Sequence, residues 1–198
     1  MSIRKLLEEK EAQITRQGYM EFSDEELNSL NSIDLKHILD VFQGHALMKL
    51  PASEIRFFEW LKEADPAVWN DLWADAEDEA YLVSVNFLSH FVGRNLGFPI
   101  CDLVEEPNYW FSPRHIKPKG REELDEIFLK VEHNTKLNLA EYFLYNLNHA
   151  SFDIWHFCYK HQIDLSTLKT IIEDLVFKGH LVHLTNRDDL VRYLDFDE

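Results

Sequence analysis

A chain of 198 residues with 45% apolar residues, 14 Phe, 7 Tyr and 5 Trp can fill one sizeable core or two small ones, which excludes long intrinsic disorder. Asp and Glu number 36 against 20 Lys and Arg, a formal net charge of −16, so nucleic acid and anionic membranes meet a repulsive field unless a local basic patch reverses it. Cys101 and Cys158 stand far apart with no paired spacing, which argues against a disulfide framework and fits a reducing cytoplasm.

The opening segment MSIRKLLEEK has no apolar run fit for the core of a signal peptide. Residues 2–17 predict an amphipathic helix with Ile3, Leu6, Leu7 and Ile14 on one face, ended by Gly18. Ser23 and Glu26 have the spacing of a capping box, opening a second helical stretch. Ser32 is the expected cap of a third, carrying Ile33, Leu35, Ile38, Leu39 and Phe42 and closed by Gly44.

Beyond Pro51, Ser53 is the expected cap of a helix with Ile55, Phe58 and Leu61 on one face and Phe57 and Trp60 on another. Asp65-Pro66 is a strong start signal, because Asp accepts free N–H groups and proline has none to lose at the first helical position. A helix or helix pair is expected from there to about Asn95. Its second half, through Tyr81, Val85, Phe87, Leu88, Phe91 and Val92, is apolar nearly all round and reads as a central buried helix. Polar interruptions at Ser84, Asn86, Ser89, His90, Arg94 and Asn95 argue against a membrane span.

Pro99, Pro107, Pro113 and Pro118, with Gly97 and Gly120, mark residues 99–120 as a connector. The expected organisation is a helical N-terminal domain (1–98), this connector, and a C-terminal domain (121–198). In the last, helices are expected at 121–132 (Leu124, Ile127, Phe128, Val131 inward) and 138–149 (Leu139, Phe143, Leu147). A third follows Ser151 with Phe152, Trp155 and Tyr159, and a fourth follows Ser166 with Leu168, Ile171, Ile172, Leu175 and Val176. Gly179 stops it; His180–Leu184 alternates like a strand, 185–189 turns, and 190–196 returns.

Helix, helix, tight turn, helix, glycine and hairpin together resemble the winged-helix fold, a variant of helix-turn-helix, most closely over STLKTIIEDLVFKGHLVHL. The expected fold class is therefore mainly α, a helical body plus a winged-helix-like module with a small β-hairpin. The resemblance implies DNA binding through the helix at 166–178, with Ser166, Thr167, Lys169, Thr170 and Arg187 as contacts. The residues argue against that use: Glu173, Asp174, Asp188 and Asp189 lie on the same surfaces, and base reading normally takes Arg, Lys, Asn or Gln.

Three further constellations carry chemistry. Residues 107–121 hold Arg114, Lys117, Lys119 and Arg121 without an acid, beside Tyr109, Trp110, Phe111 and His115. Cations beside aromatic platforms suit single-stranded nucleic acid or phosphorylated ligands, and equally a solvated connector. Asp71, Asp75 and Glu79 recur at helical spacing, an oxygen-rich column that suits a divalent cation or, more simply, a solvated face. His149, His156, Cys158, His161, His180 and His183 lack a recognisable zinc spacing.

No phosphate-cradling glycine loop, nucleophile elbow or HExxH motif is present. The leading expectation is thus a non-enzymatic, cytoplasmic, acidic interaction or adaptor protein that binds a protein partner or itself, with no cofactor, metal or membrane. The alternatives are a winged-helix DNA-binding regulator, and a metal-dependent enzyme using the helix carboxylates Asp71, Asp75 and Glu79.

Overall fold

The computed structural model describes residues 2–43, 46–73, 81–85, 100–102, 104 and 107–182. The chain divides into two compact units, Met1–Phe98 and Pro99–Glu198. It is mainly helical, with little sheet.

In unit one, α1 (Ile3–Gln17) ends at Gly18, whose φ of 87° suits glycine and whose N–H reaches the Ile14 carbonyl at 2.8 Å. The apolar stripe buries Leu6, but the same face also buries Lys10 completely. That ammonium donates to the Glu21 carbonyl at 2.6 Å and to both carboxylate oxygens of Glu26 at 3.0 Å, and lies 4.4 Å from the centre of the Phe22 ring. A charge withdrawn from water persists only when it is paired and hydrogen-bonded in this way. Glu26 also accepts the Ser23 N–H at 2.8 Å, while Ser23 Oγ accepts that of Glu26 at 3.1 Å, the reciprocal box expected at the start of α2 (Asp24–Ser29).

Two expected caps shift. Asn31, not Ser32, opens α3 (Ser32–Val41), its Oδ1 accepting the Asp34 N–H at 2.8 Å. Pro51 precedes α4 (Ala52–Ala64), whereas Ser53 sits inside that helix and donates its hydroxyl to Asp24 Oδ1 at 2.9 Å. Helix α3 stops at Val41 and Phe42, ahead of Gly44, which lies outside the described residues.

Unit one is not purely helical. Strand β1 (Tyr19–Glu21) pairs parallel with β2 (Leu47–Lys49), aligning Met20 with Met48, both fully buried. Strand β3 (Leu82–Ser84) pairs antiparallel with β2, aligning Val83 with Met48. The long helix expected through Tyr81 and Val85 is therefore corrected to a strand at Leu82–Ser84, and residues 86–98 lie outside the described residues. Three-residue strands are too short for alternation to be read, and the partner that fixes β3 is far away in sequence.

Asp65 and Pro66 open α5 (Pro66–Trp73) as expected. Between α4 and α5, Phe58, Trp69, Trp73 and Tyr81 form an aromatic cluster, with Phe58–Trp73 and Trp69–Trp73 centroids 5.6 and 5.5 Å apart. Offset and edge-on ring pairs of this kind add to area burial.

Unit two begins with short 3-10 turns (Ile100–Asp102, Pro107–Tyr109) and β4 (Trp110–Phe111), and a third turn (Pro113–His115) leads into α6 (Pro118–Glu132). Then follow α7 (Leu139–His149), β5 (Phe152–Asp153), α8 (Ile154–His161) and α9 (Leu165–Phe177). Strand β4 pairs with β5 through Trp110–Asp153 and Phe111–Phe152, so the residues read as a connector are built into this unit.

Helix α6 starts three residues before its expected position because Pro118 occupies its first turn. Glycine is needed at position 120 because a Cβ there would run into the His180 carbonyl oxygen. Leu124 and Ile127 are buried as expected, but Val131 and Leu139 are 37% and 42% exposed. Helix α7 opens on Asn138 and Glu141, whose carboxylate also takes the Lys130 ammonium of α6. Burial opposes the Glu141 charge, but the Lys130 and Asn138 hydrogen bonds prevail and hold its pKa below the usual value.

The last two caps also shift. Ser151 gives way to Asp153, whose Oδ1 accepts the His156 N–H at 2.8 Å; Ser166 gives way to Asp164, whose Oδ2 accepts the Thr167 N–H at 2.9 Å. Between α8 and α9, Gln162 adopts a left-handed conformation, φ 53°. The core of the unit is aromatic: Phe143 meets Phe111, Phe152 and Phe157 at centroid distances of 5.7, 5.4 and 5.4 Å.

Candidate partner-contact site

The segment 107–121 and helix α9 meet at two points. Near the start of α9, the Lys169 ammonium lies 4.8 Å over the Tyr109 ring, and Tyr109 stands edge-on to buried Trp155 at 5.4 Å. At the end of α9, Lys119 donates to the Lys178 carbonyl at 2.9 Å, and the Lys117 N–H donates to the His180 carbonyl at 3.0 Å. A cation on the free carbonyls of a helix C-terminus is well placed for the helix dipole. After Gly179 the chain runs beside Ile116, where Leu181 forms an antiparallel bridge. The remainder of the expected hairpin, residues 183–196 with Arg187, lies outside the described residues.

The aromatics of 107–121 face inward. Trp110 is half-buried edge-on to His115 at 5.6 Å, and Phe111 is buried. His115 is 2% exposed, so it is a core residue and not a surface contact. The Ser112 backbone N–H donates to its Nδ1 at 2.9 Å; an N–H only donates, so the neutral ring carries its proton on Nε2. Burial pushes its pKa down from 6.5 to about 4, and the Ser112 carbonyl, 3.2 Å from Nδ1 and able to accept from the protonated ring, offsets only part of that. Arg114 and Arg121 are exposed and Lys117 half-buried, and none forms an ion pair among the described residues.

The start of α9 is satisfied from within. Asp164 Oδ2 accepts the hydroxyls of Ser166 at 2.5 Å and Thr167 at 3.1 Å, and the Thr170 hydroxyl donates to the Ser166 carbonyl at 3.1 Å. The Ser166 and Thr167 hydrogen bonds hold the Asp164 pKa below its usual value, so a carboxylate occupies the place where a phosphate would settle. Lys178 pairs with Asp174 at 2.6 Å.

The sequence pattern overlooks two residues here. Phe177 falls two positions beyond Leu175, about 200° around the axis from the buried stripe, and is 91% exposed. Asp153, 2% exposed, accepts the Ile100 N–H at 3.1 Å and pairs with His156 Nδ1 at 2.6 Å, tying the first turn of the unit to α8.

Among the described residues the histidines gather in no metal-binding group. His161 Nδ1 meets the Tyr142 hydroxyl at 2.8 Å, and His149 Nδ1 meets the Tyr145 carbonyl at 2.7 Å. Cys158 is buried, its thiol pushed up to about 12 by burial, with Asp164 and Asp153 adding to the shift. Among the described residues no three His, Cys, Asp or Glu gather as a metal would require. Helix α5 ends at Trp73 with Asp71 exposed; Asp75 and Glu79 lie outside the described residues. Among the described residues, no helix is long and apolar enough to cross a membrane.

No family model, curated protein or solved structure matches this chain.

Proposed function

We propose that this chain is a non-enzymatic interaction protein, and that unit two docks a protein partner where α6 begins and α9 ends. The observation that carries the reading is Phe177: its ring is 91% exposed beside Lys178, whose carbonyl holds the Lys119 ammonium. Large aromatic side chains are enriched at the cores of protein interfaces, because burying the ring contributes much of the affinity. The acidic excess and the two buried free thiols fit a reducing, cytoplasmic setting. A photocrosslinking benzoylphenylalanine in place of Phe177 should yield discrete protein adducts in cells. The same group at exposed Glu126 should not, and equal labelling from both positions would defeat the proposal.

A second reading, a winged-helix-like DNA binder, draws support from the order of α6 to α9, the short connection between α8 and α9, and the approach of the 107–121 cations to α9. The Asp164 carboxylate and the spent hydroxyls at the start of α9 weigh against inserting that helix into a groove. A gel-shift on random duplex at low salt separates the two readings: retardation abolished by Arg114→Glu and Lys117→Glu would favour DNA.

A further inference from the structure

We draw no further inference here: the strongest candidate, the open apolar cleft between α1 and α3 walled by Leu7, Ile14, Val41 and Phe42, lies between helices that carry five bases and five acids, and nothing in the structure shows what covers it.

Discussion

Lys169 sits 4.8 Å over the ring of Tyr109, which joins the basic-aromatic segment to the first half of α9. These two residues come from stretches that the sequence presents as separate candidates, a connector and a recognition helix. In the fold they are one surface, and each uses the other, which removes the aromatic platform and one cation from any ligand. A cation over an aromatic face at this distance is worth about 0.5–1 kcal/mol.

Gly120 fits its position because its Cα faces the His180 carbonyl. Gly120→Ala should lower stability by about 2 kcal/mol, since the atom that a Cβ would meet is backbone and has little freedom to withdraw. Urea denaturation of the variant measures this, and an unchanged midpoint would contradict the close approach.

Lys10→Met should destabilise the chain by about 3 kcal/mol, because it strands the Glu26 carboxylate and the Glu21 carbonyl that the ammonium satisfies. Adding Glu26→Gln should recover part of the loss. A double-mutant cycle by denaturation reads the coupling.

Stability should depend on pH through His115. Its folded pKa of about 4 lies below the ordinary 6.5, so between these values the unfolded chain binds a proton that the folded one does not. The contribution is complete above about pH 6.5 and is lost as pH falls through about 4, on the order of 3 kcal/mol in all. His115→Asn offers a non-titrating acceptor to the Ser112 N–H. It should flatten the slope of stability against pH in that window, whatever its effect at neutral pH.

Cys158 should resist alkylation in the folded protein, because burial and two carboxylates push its thiol up to about 12 and leave almost no thiolate near pH 8. Iodoacetamide followed by mass spectrometry should label it only after unfolding. Rapid labelling of the native chain would contradict its burial.

Much of this fold is legible in the chain itself. The Ser23–Glu26 box, the Asp65-Pro66 start and the Gly18 and Gly179 stops depend on neighbours within a turn, so sequence spacing determines them. The apolar stripes of α6, α7 and α9 follow for the same reason, since helical periodicity is local. The acidic balance and the inward Leu124, Ile127, Phe143, Leu147, Leu168 and Leu175 need no tertiary information.

Only the tertiary structure decided the rest. Lys10 is buried because Glu21, Phe22 and Glu26 arrive from beyond the end of its helix, and a periodic pattern treats any lysine as surface. Strands β1, β2 and β3 exist through pairings across long separations, so Leu82–Ser84 leaves the helix that its apolar neighbours suggest. His115 and Trp110 turn inward, and Phe177 turns outward, because β4 pairs with β5 and α9 spends its buried face on the unit's core. Local hydrogen bonds select elements from nearby residues alone, whereas burial belongs to whatever the fold brings alongside.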